Sequence, residues 1–314
     1  MRKIRVFQVP RIRAVFAWTS IIVYILRNRG KKTYGTVQLK ELVDRYIIEK
    51  TATLKDYYET ERTIGNFAKL LTPINVSGLA RFGAIGDGGY VGLADSVPEL
   101  IISGGAGKNI DFEMEFALLG SSVLLFDPTV KKLPKNHSRV THLPFALCGT
   151  NSRQFKKIMN LNAALKLGTQ ERASNIWLKL DIEGSEYELI DESLEVLNSF
   201  NQIFIEFHDT YRLLDSEFRD RFVRIISYLN SNFHLISINS NNWQNVFGAG
   251  YAFAPVTFEA TFLSKAIPIE AVKEEMFVDL ITINNSQRPA IPRLPFVHIE
   301  GTNRIARDIQ SDSN

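Results

Sequence analysis

The chain has 314 residues, of which 45% are apolar and 23% charged, enough for one large folded domain with appendages. Its net charge of +3 is unevenly placed, because nine basic side chains lie in residues 1–32, before the first acidic residue, Glu41. The rest of the chain is therefore mildly acidic, which argues against a nucleic-acid-binding surface on it. A single cysteine, Cys148, excludes an intramolecular disulfide and favours a cytoplasmic protein.

The basic segment 1–32 also contains an apolar stretch, Ala14–Leu26. As a helix it spans about 20 Å, less than the roughly 30 Å hydrocarbon core of a bilayer. Positive charge on both sides of such a stretch is typical of a helix that lies in an anionic membrane interface. A helix packed on the domain is the alternative, whereas a signal peptide is disfavoured because no small-residue cleavage site follows. We therefore expect a cytoplasmic protein that binds an anionic membrane peripherally through this segment.

Apolar residues at helical spacing over Val37–Ile47 and Ile64–Leu71 predict two helices within a cap of residues 33–78. The main domain is expected over residues 79–266. It is followed by a C-terminal extension, 267–314, whose polar end is expected to be disordered.

The main domain begins with a predicted hairpin, Leu79–Leu93, in which Asp87-Gly88-Gly89 makes the turn. From residue 100, strands and helices alternate, which predicts an α/β fold with a doubly wound, mostly parallel seven-stranded sheet. The last two strands have no helix between them and are expected to form an antiparallel hairpin at the end of the sheet. The predicted strands are Leu100–Ser103, Ser122–Phe126, Val140–Ala146, Ile176–Leu180, Ile203–Phe207, His234–Asn239 and Thr257–Leu263, and the helices among them include Phe112–Leu119 and Tyr187–Leu197.

A glycine loop directly follows the first of these strands, with Gly104, Gly105 and Gly107. Glycines at this place let the backbone approach a ligand beside the next helix N-terminus. A dinucleotide-binding fingerprint would require glycine at position 110, where Ile110 stands, so the pattern disfavours NAD. Asp127 ends the second strand at the spacing expected of an acid that binds a nucleoside ribose.

Another strand, Ile176–Leu180, ends in Asp181 and Glu183, and His208 follows the neighbouring strand. The carboxyl ends of parallel strands meet at one edge, so we expect these three side chains to share a crevice. His208 is the best general base by chemistry, since its unperturbed pKa is about 6.5. The three groups could also bind a divalent cation, but nothing in the sequence requires a metal and none is assigned. Asp111 is expected to cap the helix that begins after the glycine loop.

Together these blocks resemble the FkbM-type methyltransferases in order and spacing over roughly residues 80–263. The matching blocks are Asp87-Gly88-Gly89-Tyr90, Ser103–Gly107, Asp111-Phe112-Glu113, Asp127-Pro128, Lys179-Leu180-Asp181-Ile182-Glu183-Gly184-Ser185-Glu186, Glu206-Phe207-His208, Asn241-Asn242 and Phe258–Phe262.

The resemblance implies a class I Rossmann-like fold with S-adenosyl-L-methionine (AdoMet) as methyl donor. It also implies methylation of a hydroxyl on a sugar, glycan or related metabolite precursor, and it places Asp87 and Asp181 at the donor. Two other functions stay open: an NAD(P)-dependent sugar oxidoreductase and a non-catalytic, membrane-associated AdoMet-binding protein.

Overall fold

The computed structural model describes residues 36–152, 155–169, 173–241, 246–269 and 296–298. The basic segment 1–32 and nearly all of the predicted C-terminal extension lie outside these residues. The chain divides into two compact units, Met1–Leu54 and Lys55–Asn314. None of the helices among the described residues has both the length and the apolar character of a membrane span.

Two helices stand where the apolar spacing predicts them. Helix α1 (Thr36–Thr51) belongs to the first unit. Helix α2 (Leu54–Leu70) begins at the boundary and buries Ile64 and Phe67 within the second unit. The Phe67 ring meets the Phe222 ring edge-on, with centroids 5.1 Å apart, so apolar packing anchors α2 to the α/β body.

The second unit is an α/β domain built on a seven-stranded sheet. In chain order its described strands are β1 (Leu79–Gly83), β2 (Gly89–Leu93), β3 (Leu100–Gly104), β4 (Ser122–Phe126), β5 (Val140–Leu143), β6 (Ala146–Leu147), β7 (Ile158–Met159), β8 (Ile176–Leu180), β9 (Gln202–Phe207), β10 (Phe233–Ser240), β11 (Val246–Ala249), β12 (Ala252–Pro255), β13 (Phe258–Ser264) and β14 (Val297–His298). Its helices beyond α2 are α3 (Asp111–Leu118), α4 (Leu161–Gly168), α5 (Glu186–Asp191) and α6 (Ser216–Asn232), with 3-10 turns at Leu194–Ser199 and Thr210–Leu214.

The strand order in the large sheet is β10-β13-β9-β8-β3-β4-β5, and only β13 runs against the others. This confirms the predicted doubly wound, mostly parallel seven-stranded sheet. The antiparallel end differs in detail, because β13 inserts between β9 and β10. A separate three-stranded sheet, β11-β12-β14, takes its first two strands from the stretch that the sequence assigns to turns.

Two predicted boundaries were wrong. The third strand ends at Leu143 and not at Ala146, because Pro144 has no amide hydrogen to continue the ladder. The helix predicted over Tyr187–Leu197 is interrupted after Asp191. There the Ser193 amide donates to the Ile190 carbonyl, a three-residue bond that tightens the chain into a 3-10 turn.

The predicted hairpin forms from β1 and β2, with Gly83 opposite Gly89, and its second strand packs against β9, β10 and β13 of the sheet. Its side chains join a buried aromatic cluster beneath the crevice, formed by Phe82, Tyr90, Phe112, Phe116, Trp177 and Phe204. Ring centroids in this cluster lie 4.9 to 6.5 Å apart, mostly edge-to-face. The packing holds the hairpin rigidly beside the carboxyl ends of β3 and β8.

Candidate functional site

Neighbouring strand ends are in register at one edge of the sheet, because Gly104 pairs with both Phe126 and Leu180. The glycine loop starts here. The Gly105 amide donates to the Phe126 carbonyl at 2.9 Å, and the Asp181 amide donates to the Gly104 carbonyl at 3.0 Å. Register alone therefore brings the glycine loop, Asp127 and Asp181 to one crevice, as the sequence predicts.

Gly105 cannot be replaced without moving the backbone. Its φ is +85°, in the left-handed region, and a Cβ there would lie 1.8 Å from the Asp181 carbonyl oxygen. At Gly107, whose φ is +49°, an added Cβ would have nothing within 4 Å. The loop is thus tight against β8 at Gly105 and open at Gly107.

Asp127 braces this loop. Its Oδ2 accepts from the Ala106 amide at 2.9 Å and from the Gly107 amide at 3.2 Å, while Oδ1 accepts from the amide and hydroxyl of Thr129. Burial raises the pKa of Asp127, but the hydrogen bonds from Thr129, Ala106 and Gly107 outweigh it, and the net pKa is lowered. The structure thus gives the carboxylate a role in holding the loop, which the sequence did not predict.

Lys179 is the penultimate residue of β8 and lies under the crevice. Its buried ammonium donates to the Gly105 carbonyl at 2.7 Å and is 3.6 Å from Glu113 and 3.7 Å from Asp181. Burial lowers the pKa of Lys179, but the charges of Glu113 and Asp181 reverse this and raise it. Lys179 was missed as a site residue, although it stands two residues before Asp181 and therefore points to the same side of the strand.

The three predicted catalytic side chains come together. The Nε2 atom of His208 is 3.6 Å from Oε2 of Glu183 and 3.9 Å from Oδ1 of Asp181. The other Asp181 oxygen accepts from the Tyr90 hydroxyl at 3.1 Å. His208 is 5% exposed, whereas Glu183 reaches solvent at the mouth of the crevice.

A carboxylate that the sequence analysis left unassigned orients the imidazole. Glu186 is fully buried, and its Oε1 lies 3.3 Å from Nδ1 of His208. Burial lowers the pKa of His208, but the charges of Glu186, Glu183 and Glu206 raise it well above the ordinary range. This corner of the crevice therefore favours positive charge.

Glu206, on β9, is a further residue that the sequence quoted without a role. It is 4% exposed, and Nδ2 of Asn241 donates to its Oε1 at 2.6 Å. Burial first, and then the charge of Asp181, raise the pKa of Glu206 well above normal. Among the described residues, Asp181, Glu206 and His208 each place one potential ligand atom within 4.8 Å of the other two.

Two other predicted residues lie at the rim. Asp87 is in the hairpin loop, where its backbone carbonyl accepts from Asn109. Partial desolvation and then the charge of Asp181 raise the pKa of Asp87. The prediction for Asp111 was wrong: the Asn109 side chain accepts from the Asp111 amide at 2.9 Å, while the Asp111 carboxylate pairs with Lys135.

Comparison with known proteins adds little to this geometry. No protein-family model and no curated protein matches the chain. Among solved structures, the chain is similar to a candidate hemolysin from Streptococcus thermophilus, with 13% identity and a TM-score of 0.34, over 59% of this chain and 65% of that one. It is also similar to a chain of a fibrillarin/Nop5p complex, with 11% identity and a TM-score of 0.33, over 54% of this chain and 74% of that one. The chain thus spans slightly less than two thirds of the first of these proteins.

Proposed function

We propose that the chain is an AdoMet-dependent methyltransferase that methylates a hydroxyl of a sugar, glycan or related metabolite precursor. The observation that carries this proposal is the joining, at one sheet edge, of a glycine loop braced by Asp127 and an acidic cluster around Asp181. The resemblance of the sequence blocks to FkbM-type methyltransferases supports the same assignment.

The residues present fit the charge of AdoMet. Open space at Gly107 leaves room for a ligand to approach the loop backbone. The carboxylates of Asp181 and Glu183 suit a donor that carries a sulfonium and an ammonium group. Asp127 would hold the ribose only by exchanging a present partner, because its four hydrogen bonds already match the roughly four lone-pair sites of a carboxylate.

The chain's own residues have a modest chemical task. When bound, AdoMet supplies a methyl group that is already activated. Asp181, held by Tyr90 and by its own backbone amide, would orient the reactants. The proton of the acceptor hydroxyl would pass to the Glu183 carboxylate, whose Oε2 lies 3.6 Å from Nε2 of His208 at the crevice mouth.

Titration calorimetry with AdoMet, its demethylated product and NAD tests the donor. We expect AdoMet and the product to compete for one site and NAD not to bind. Binding of NAD alone would replace the proposal with an oxidoreductase.

Incubation with methyl-labelled AdoMet and a panel of sugars and glycans tests the transfer. Alkali-stable label on a neutral sugar without an amino group would exclude a methyl ester and an N-methyl group, and would indicate an ether and hence O-methylation. AdoMet binding without transfer to any member of the panel would favour a non-catalytic binding protein. Asp181→Asn should lower turnover sharply, whereas the exposed Asp95→Asn should not.

A further inference from the structure

Two buried residues of the crevice, His208 and Glu206, each have one side-chain atom that no hydrogen bond among the described residues occupies. Nε2 of His208 faces carboxylate oxygens at 3.6 and 3.9 Å, beyond hydrogen-bond distance. The Glu206 carboxylate receives one hydrogen bond in the described part of the chain, from Asn241, and its Oε2 receives none. Both residues are more than nine-tenths buried, while these two atoms stay open to the crevice, since neither is among the fully buried atoms that lack a partner.

Carboxylates crowd this point. Asp181 and Glu206 belong to one cluster of potential ligands, and Glu206 stands directly opposite Glu259 in the β9–β13 pair, with both side chains buried. Like charges across a strand pair repel, so a cation bound between Asp181 and Glu206 would offset this repulsion.

We infer that Asp181, Glu206 and His208 bind a divalent cation, with Mn²⁺ as the best match to two carboxylates and one imidazole. Two atoms that each lie about 2.2 Å from one ion are at most about 4.4 Å apart. The observed limit of 4.8 Å therefore needs only a small movement of the side chains.

The surroundings of His208 are those of a metal ligand. Glu186 lies 3.3 Å from Nδ1 and so fixes the imidazole with Nε2 toward the crevice. A carboxylate behind the ligating histidine is the usual outer partner in metal sites. Asn241 stands in the same relation to Glu206.

The inference rests on the proposed function for its role, since a cation here would orient the acceptor hydroxyl and lower its pKa. The new bond then forms between the hydroxyl oxygen and the methyl carbon as the sulfonium–methyl bond breaks. The sulfonium becomes a neutral thioether, and the hydroxyl proton passes to the Glu183 carboxylate. Tyr90 and Lys179 keep Asp181 in place.

Binding of Mn²⁺ to the full chain can be measured without any methyl transfer. After treatment with EDTA and its removal, Mn²⁺ is titrated while the electron paramagnetic resonance signal of the free ion is followed. We expect one Mn²⁺ per chain in the absence of AdoMet, and a higher melting temperature with Mn²⁺. No binding at millimolar Mn²⁺ would overturn the site.

Substitutions then locate the ion. Glu206→Gln keeps the size of the side chain and should abolish tight binding, as should Asp181→Asn, which lies nearer the surface. Glu186→Gln should weaken binding by about 10- to 100-fold, as expected of an outer partner. Glu217→Gln, at a side chain that is 88% exposed, is the matched control and should bind Mn²⁺ normally. Unchanged affinity in a folded Glu206→Gln or Asp181→Asn variant would remove that residue from the site and overturn the ligand set.

The two proposals fail separately. A chain that binds AdoMet but no Mn²⁺ would keep the methyltransferase assignment and lose the metal site. A chain that binds Mn²⁺ through these residues but binds no AdoMet would keep the metal site and lose the methyltransferase assignment.

Discussion

Glu186 holds His208 twice through the same oxygen: its Oε1 accepts the backbone amide of His208 at 2.7 Å and faces Nδ1 of the ring at 3.3 Å. Its Oε2 also accepts the Gly184 amide at 2.9 Å. One buried side chain at the start of α5 thus joins the tips of β8 and β9. The ring and the backbone of His208 are fixed together, which is what a preorganised site requires.

Removal of this carboxylate should therefore be costly. Glu186→Ala leaves three donors without a partner in the interior, and we expect the free energy of unfolding to fall by about 3–5 kcal/mol. Glu188→Ala, on an exposed position of the same helix, should change it by less than about 1 kcal/mol. Chemical denaturation of both variants measures the difference, and equal losses would contradict the role of Glu186.

Lys179 and Glu113 form a buried ion pair, and removal of either partner alone should destabilise the fold more than removal of both. Lys179→Met leaves Glu113 charged and without its cation, so we expect a loss of about 3–5 kcal/mol in the free energy of unfolding. The double variant Lys179→Met, Glu113→Leu should recover part of this loss. Lys135→Ala, which breaks the exposed pair with Asp111, should cost less than about 1 kcal/mol. A double-mutant cycle with no coupling energy would show that the pair is not a unit.

Asp127 should stabilise the fold in a pH-dependent way. Its pKa is lowered in the folded chain, so its contribution is present above the unfolded pKa of about 3.9 and is lost as the pH falls through the folded value. The difference in unfolding free energy between wild type and Asp127→Asn should therefore be constant near neutrality and shrink below about pH 4. A difference that grew toward acid pH would contradict the lowered pKa.

The same residue tests the donor site. Asp127→Ala should weaken AdoMet binding by about 10- to 100-fold, because the loop amides lose their acceptor and the ribose loses a charged partner. Thr129→Val separates the two effects, because it removes the hydrogen bond from the Thr129 hydroxyl to Asp127 but keeps the Asp127 carboxylate. Calorimetry that finds full affinity in folded Asp127→Ala would exclude Asp127 from the donor site.

The two loop glycines should respond differently to the same added methyl group. Gly105→Ala forces a Cβ into the Asp181 carbonyl, so β3 and β8 must separate and the melting temperature should fall steeply. Gly107→Ala has only its positive φ to overcome and should cost about 1 kcal/mol. Melting curves of the two variants measure this contrast, and similar losses would show that the loop is not held against β8.

Membrane binding by residues 1–32 remains a prediction from the sequence. Their nine basic side chains and the apolar stretch Ala14–Leu26 should bind anionic vesicles, and salt should weaken the binding without abolishing it. A chain that begins near Lys40 should stay in the supernatant when vesicles are pelleted. Pelleting of that shorter chain would place the membrane-binding surface elsewhere.

Much of the architecture follows from local pattern, because apolar runs that end in acidic or glycine residues mark the strand tips directly. Ser122–Phe126 and Ile176–Leu180 match their predicted bounds for that reason. The residues that surround Asp181 in the crevice were harder to predict. Glu206 becomes a neighbour of Asp181 only through the pairing of β8 with β9, which local periodicity does not encode.

The misplaced helix cap has a local cause. Asn and Asp both accept hydrogen bonds from backbone amides, and here Asn109, two residues before Asp111, occupies that role. The Asp111 side chain is left to Lys135, far along the chain, and no local pattern in the sequence marks that pairing.

The insertion of β13 between β9 and β10 has a consequence for the order of folding. Among the described strands, β9 and β10 do not pair directly, so each keeps an open edge until residues 258–264 have been synthesised and have entered the gap. Glu206 lies on one of these edges, opposite the incoming Glu259. Closure of the sheet is therefore a late event, so a nascent chain halted before β13 would carry the glycine loop beside a sheet that is still open at Glu206.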